Sequence, residues 1–159
     1  MSAKPVLLAA NSEQLSEARV RLARIGIEDV AGYLQGGVEG WQGAGLPVEQ
    51  VKQITAQELA SRLSSGEIGV LDVRREAEFE AGHIDGADWH PLDRFKAALP
   101  EIAKGTPFAI HCKGGYRSLI AASVLMRAGY HNVVDLAGGF DAWQAAGMPS
   151  ESAVEVETK

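Results

Sequence analysis

Ala109-Ile110-His111-Cys112-Lys113-Gly114-Gly115-Tyr116-Arg117-Ser118 is the stretch whose reading decides the fold. Phe108, Ala109 and Ile110 read as a short strand buried in a parallel sheet, and a helical pattern runs from Ser118 to Ala128. A strand that passes through a Gly-Gly turn into a helix is a βα unit, and open α/β sheets bind ligands at the carboxyl ends of their strands. Cys112 stands at that place. Gly114 and Gly115 let successive backbone N–H groups point inward as an anion nest. The helix N-terminus adds partial positive charge, and Lys113 and Arg117 stand nearby. All four effects favour thiolate over thiol. Cys112 is therefore predicted to be a nucleophile, with a pKa below the free-thiol value of about 8.5. It is the only cysteine, so neither an intramolecular disulfide nor a Cys-rich zinc site can form.

Outward from the loop, short strands alternate with helices over residues 50 to 149. Thr55 with Glu58 three residues on reads as a capping box that opens a helix through Leu63, ended by Ser65-Gly66. Ile68 to Val73 reads as another buried strand, Glu76 to Ala81 as a short helix stopped at Gly82, and Pro91 to Leu99 as a further short helix. The alternation predicts one α/β domain with a mainly parallel central sheet flanked by helices in three layers.

The chain also repeats half of itself. Val6 to Ala10, Arg21 to Gly26 and Leu34 to Pro47 parallel Phe108 to Cys112, Val124 to Gly129 and Leu136 to Pro149. Each copy reads as a βαβα half closing on Gly-x-Pro. Only the second copy has a front half before it. The expected organisation is a degenerate half-copy over 1–47, a complete domain over 48–150 and a solvated acidic tail over 151–159. An unpaired half-sheet exposes strand edges and an apolar face, which favours a piece of a longer protein over a native appendage. The segment is expected to fold and to cover that face on the complete domain or on a second copy in a homodimer.

Composition narrows the function classes. With 46% hydrophobic and 23% charged residues in 159, the chain is globular rather than disordered. A formal charge of -6 has the wrong sign for nucleic-acid binding by counterion release. No apolar run approaches the roughly 20 residues needed to span a bilayer, and no secretory signal pattern opens the chain. A cytoplasmic protein acting on small anions or other proteins is the expectation.

The loop His111 to Ser118, in the form Cys-x-x-Gly-x-Arg-Ser, resembles the active-site loop of rhodanese sulfurtransferases. Leu71-Asp72-Val73-Arg74 with Glu78-Phe79 and Gly82 to Ala87 is similar to that family's front signature, and Gly138 to Trp143 to its closing signature. The three cover residues 50 to 150 in the right order. The two-copy arrangement is similar to the C-terminal part of fusions in which a metallo-β-lactamase-fold domain, of the persulfide dioxygenase or glyoxalase type, precedes a degenerate and then an active rhodanese domain. The resemblance implies a rhodanese-like fold in which Cys112 takes the outer sulfur of thiosulfate, a polysulfide or a glutathione-type persulfide and passes it to a thiol, sulfite or cyanide. Lys113, Gly114, Gly115, Tyr116, Arg117 and Ser118 would hold the persulfide, with no metal or organic cofactor. At the position of Cys112 the first copy has Ala9, followed by Ala10-Asn11-Ser12-Glu13, and cannot do thiol chemistry.

Four residues separate Cys112 from Arg117, whereas related cysteine-dependent phosphatases have five and a wider cradle; a phosphatase or arsenate reductase is accordingly the weaker enzyme reading. A non-catalytic docking or regulatory module is the alternative from another class, disfavoured by the intact loop. Asp72 and Arg74 read first as a structural ion pair or as capping groups at a strand end, with substrate contact the lesser reading, and His111, on the opposite strand face from Cys112, as a structural or solvent-facing residue. Arg117 reads either as a substrate ligand or as a tie between loop and domain, and Lys113 as an anion guide or a solvated side chain. His83 and His90 lack a recognised metal-ligand spacing. Trp41 and Trp143 are expected to be equivalent core anchors.

Overall fold

The computed structural model describes residues 4–9 and 11–152, which fall into two compact units divided between Gln50 and Val51. The first unit contains β1 (Val6–Leu7), α1 (Ser12–Arg24), β2 (Gly32–Tyr33) and α2 (Gly37–Gly43). Its two strands pair in parallel, Val6 with Gly32 and Leu7 with Tyr33. Asn11 caps α1 by accepting from Gln14 N–H at 2.9 Å. Val6, Leu8, Tyr33, Val38 and Leu46 are all exposed.

The second unit is a five-stranded parallel sheet in the order β3-β7-β6-β4-β5: β3 Lys52–Ile54, β4 Gly69–Asp72, β5 Asp88–Trp89, β6 Phe108–His111 and β7 Val133–Leu136. Helices α3 (Ala56–Ser64), α4 (Glu76–Glu80), α5 (Tyr116–Arg127) and α6 (Gly139–Ala145) connect or follow the strands. Thr55 Oγ1 accepts from Glu58 N–H at 3.2 Å, as its spacing predicts, and starts α3. This is the α/β architecture with a mainly parallel sheet flanked by helices that the alternation of apolar runs implies.

Strand alternation divides the core in two. Leu71, Phe108, Ile110 and Val133 pack on one face with Ala121, Ala122 and Leu125 of α5, while Val70, Ala109 and Leu136 pack on the other with Leu59 of α3 and Phe140 and Trp143 of α6. Cys112 continues the α5 side of this alternation, and buried His111 lies against Phe140 on the far side. Burial on both faces is why the strands read as continuous apolar runs rather than alternating ones.

Several expectations need correction. The helix after the cysteine loop begins at Tyr116 rather than Ser118, because Gly115 takes a left-handed conformation (φ 97°) that starts it directly. Residues 92–96 form a short 3-10 helix instead of a longer segment over 91–99, since Pro100 follows closely and Phe95 alone is buried on it. Glu151 is exposed, as expected of the start of the tail, but its backbone is paired: its N–H donates to the His83 carbonyl at 2.8 Å and its own carbonyl accepts from His83 N–H at 2.7 Å. Residues 153–159 of that tail lie outside the described residues. Trp41 is not a core anchor, being 38% exposed where Trp143 is 2% exposed, although each indole N–H donates to a proline carbonyl, Pro47 at 2.9 Å and Pro149 at 2.8 Å. Among the described residues no helix is long and apolar enough to cross a membrane.

Candidate active site

Cys112 leaves the end of β6 and is 1% exposed. Its sulfur accepts from Gly115 N–H at 3.2 Å and lies 3.6 Å from the Ser118 hydroxyl. The first turn of α5 carries no side-chain cap, so its backbone donors stay available to the sulfur. Burial is the largest influence on the thiol and opposes its ionisation. The Ser118 hydroxyl and the N–H groups of Ser118, Gly115 and Arg117 outweigh it together, and the Cys112 pKa is held below its ordinary value.

The loop owes its shape to α6 as well as to its own glycines. Phe140 N–H donates to the Cys112 carbonyl at 2.8 Å and Asp141 N–H to the Lys113 carbonyl at 3.0 Å. Two peptide carbonyls of the loop are thus turned onto the next helix. Gly139 makes this approach possible: a Cβ there would sit 2.5 Å from the Lys113 carbonyl oxygen and closer still to that of Cys112, and its φ is 61°. The Gly-Gly of the closing signature therefore serves the cysteine loop across the strand ends.

Asp72 and Arg74 form the buried structural pair expected of them. The Arg74 Nη2 group lies 2.6 Å from Asp72 Oδ2 and donates at 2.6 Å to the Gly82 carbonyl. The guanidinium stacks 4.0 Å over the Phe140 ring, so it props the residue that holds the Cys112 carbonyl. His111 is fully buried, with Nδ1 3.3 Å from the Cys112 carbonyl and Nε2 3.6 Å from Asp72. Desolvation, the largest influence, lowers its pKa despite the Asp72 charge. Of the two readings of His111, the structural one holds and solvent contact does not.

Arg117 is tied to the body of the domain. It makes a two-pronged ion pair with Glu78 of α4, at 2.6 and 2.7 Å. The Arg117 hydrogen bond holds the Glu78 carboxyl down at about 2, against the opposing effect of burial. Glu78 in turn is the main cause of the raised Arg117 pKa, to which Cys112 adds. Arg117 also lines a cleft of about 230 Å³ with Val73, Arg75, Pro91, Leu92 and Asp93. Lys113 is exposed and takes part through its carbonyl, and Tyr116 is 80% exposed. Gly114 is exposed, Gly115 buried, and a Cβ on Gly114 would meet open space.

Of the predicted residues, the structure brings Gly115, Arg117 and Ser118 around Cys112, and sets Asp72 and Arg74 behind the loop. Two residues that line or brace the site carry no role in the sequence reading. Glu78 is the partner of Arg117. Asp135 is a fully buried acid in β7, hydrogen-bonded by Gln53 at 2.8 Å. Its signal is visible: Val133-Val134-Asp135-Leu136 places a carboxylate inside an apolar strand. His83 and His90 each contact a backbone carbonyl, Phe79 and Ala98, at 3.0 Å.

Comparison with known proteins agrees with this geometry. The profile of the rhodanese-like domain matches residues 55–146. A sulfurtransferase of Allochromatium vinosum is 35% identical over 100 residues, covering 62% of this chain and 94% of that protein. The thiosulfate sulfurtransferase GlpE of Tolumonas auensis is 30% identical over 97 residues, 61% of this chain and 92% of that one. The crystal structure of the Alr3790 protein from Anabaena is similar with a TM-score of 0.58 at 32% identity, over 64% of this chain and 81% of that one. With the profile spanning more than half its length, the chain belongs to the rhodanese-like domain family.

Proposed function

We propose that the chain is a sulfurtransferase that carries a sulfane sulfur on Cys112. The observation that carries this reading is the Gly115 N–H set 3.2 Å from a buried sulfur at an uncapped helix start. Such donors stabilise an anion wherever it sits in the loop, first the thiolate and then the outer sulfur of a persulfide. Attack of the Cys112 thiolate on the outer sulfur of thiosulfate forms the Cys112 S–S bond and expels sulfite. With a polysulfide or a glutathione-type persulfide the leaving group is the shortened sulfide or the thiolate. A thiol, sulfite or cyanide then attacks the outer sulfur and returns the thiolate. Electrons balance at each transfer, so no redox cofactor takes part, and the cysteine itself is the carrier. Sulfurtransferase names among relatives that this chain covers over nine-tenths of their length support the reaction class.

In this reading Arg117 shapes the mouth through Glu78 rather than standing free to bind the donor, and exposed Lys113 guides anions to it. Intact-mass spectrometry before and after thiosulfate or glutathione persulfide tests the proposal. A gain of one sulfur atom, absent from Cys112→Ser and removed by cyanide, is expected. Failure to gain sulfur from every donor, or efficient hydrolysis of an aryl phosphate, overturns it.

A further inference from the structure

Asp135 is a buried acid that the transfer chemistry does not use. It is 0% exposed. Its Oδ2 accepts from the Gln53 amide at 2.8 Å, across the β3–β7 register pair that joins the two residues. Its Oδ1 is buried with no partner in hydrogen-bond geometry, a costly state for a carboxylate oxygen. Strand alternation puts Asp135 on the α5 side of the sheet, the side of Cys112. Burial, the largest influence, raises its pKa, while the Ser118 hydroxyl beside it and Gln53 act in the other direction. Among the described residues no ion pair involves Asp135, so the polar groups facing it are Gln53 from β3 and Ser118 from α5, with Cys112 beyond Ser118.

Ser118 is the shared neighbour. Its hydroxyl has one hydrogen, set to donate to the Gly115 carbonyl at 3.1 Å and to the Cys112 sulfur at 3.6 Å, and it also influences the Asp135 carboxyl, whose Oδ1 lies outside hydrogen-bond geometry with it. A carboxylate would draw that hydrogen away from the sulfur. A neutral acid would do the opposite, because an Oδ1–H turned toward Ser118 Oγ leaves the Ser118 hydrogen for sulfur. Gln53 fixes which oxygen carries the proton, since its N–H occupies Oδ2.

We propose that Asp135 is a positioning residue for Cys112, acting through Ser118: as the neutral acid it turns the Ser118 hydrogen onto the sulfur, and as the carboxylate it takes that hydrogen away. No proton passes between the groups; the direction of one O–H bond changes. The inference builds on the proposed role of Cys112 as the nucleophile.

Asp135→Asn locks the donor arrangement, because Gln53 holds the amide oxygen and the amide N–H₂ is left facing Ser118. The rate of iodoacetamide alkylation of Cys112 against pH is the readout, with circular dichroism as the check of folding. The midpoint is expected to fall by about half to one pH unit in Asp135→Asn and to rise in Ser118→Ala. In a Ser118→Ala background, Asp135→Asn should keep less than half of its shift. An unchanged or raised midpoint in Asp135→Asn, or a shift at least half retained without the hydroxyl, overturns the proposal. Should Asp135→Asn not fold, the wild-type profile decides. Coupling requires the rise in log rate to flatten where Asp135 ionises, and the flattening must vanish in Ser118→Ala; single-step curves for both refute it. Alkylation reads sulfur ionisation whether or not sulfur is transferred. A protein that alkylates as expected but gains no sulfur from donors fails the functional reading alone.

Discussion

Helices α1 and α5 follow the first strand of two βαβα segments with similar sequences, and their first turns are put to opposite uses. Leu7 stands where Ile110 does and Gly26 where Gly129 does, with equal numbers of residues between, so Ala9, Asn11 and Ser12 match Cys112, Gly114 and Gly115. The strand registers agree: Val6 opposite Gly32 and Leu7 opposite Tyr33 correspond to Ala109 opposite Val134 and Ile110 opposite Asp135. In the first copy Asn11 accepts from the helix N-terminus and α1 starts at once. In the second Gly115 swings to φ 97°, the helix starts one residue later, and Gly115 N–H is spent on sulfur. An anion site at a helix start thus depends on withholding the ordinary cap as much as on supplying the ligand. The first segment has the same βαβα order, including a Gly-Gly turn at the start of α2, and caps its first helix with its own side chain.

The largest test of this correspondence is at the second glycine of each Gly-Gly turn. Gly139→Ala drives a Cβ into the Cys112 and Lys113 carbonyls on top of an unfavourable φ, whereas a Cβ on Gly37 would lie 3.8 Å from the Ala9 carbonyl. Gly139→Ala should cost about 3 kcal/mol or more in urea unfolding and Gly37→Ala about 1 kcal/mol, from φ alone. Equal losses would mean that α6 does not clamp the loop as described.

Next in size is the ion-pair clamp at Arg117, whose place in the first segment is taken by the uncharged Gln14. Glu78→Gln should destabilise the protein by about 1–2 kcal/mol at neutral pH, after discounting for partial exposure. The sign follows from the depressed value of about 2 for Glu78. Its contribution is complete above the unfolded value and is lost as pH falls through the folded one. Wild type and Glu78→Gln should therefore converge between about pH 4.5 and pH 2 in thermal melts.

A smaller effect is expected from transplanting the cap. Gly114→Asn places a carboxamide at the position matching Asn11, and a Cβ there meets open space. Its oxygen would compete with Cys112 for the Arg117 N–H, one of the donors that lower the thiol pKa. The alkylation midpoint should rise by about half to one pH unit; a fall would show that the first turn is not the source of thiolate stabilisation. The smallest effect of all belongs to deletion of residues 1–47, after which the alkylation rate of Cys112 should stay within about twofold, because every donor to its sulfur comes from 115–118.

The features legible in the amino-acid sequence are those whose causes lie within a few residues: the Cys-Lys-Gly-Gly loop, the Thr55 cap and the strand–helix alternation. Pairing at a distance is not legible in the same way. Glu78 and Arg117 lie 39 positions apart, and neither spacing nor charge identifies one as the other's partner. Gln53 and Asp135 are joined only because β3 lies beside β7. The burial difference between Trp41 and Trp143 is likewise hidden, since it depends on whether a front half of the sheet lies over the helix and not on the helix sequence.

That difference has a spectroscopic consequence. An indole at 2% exposure emits toward the blue and is shielded from aqueous quenchers, while one at 38% is reached by them. Iodide or acrylamide should therefore remove the Trp41 signal preferentially and leave Trp143 to report on the sheet that carries Cys112. Trp89, half-buried beside Arg94 and donating to the Arg74 carbonyl at 3.1 Å, would add a reporter next to the ion pair behind the loop. Single-tryptophan variants would then give each βαβα frame its own optical unfolding curve within one chain.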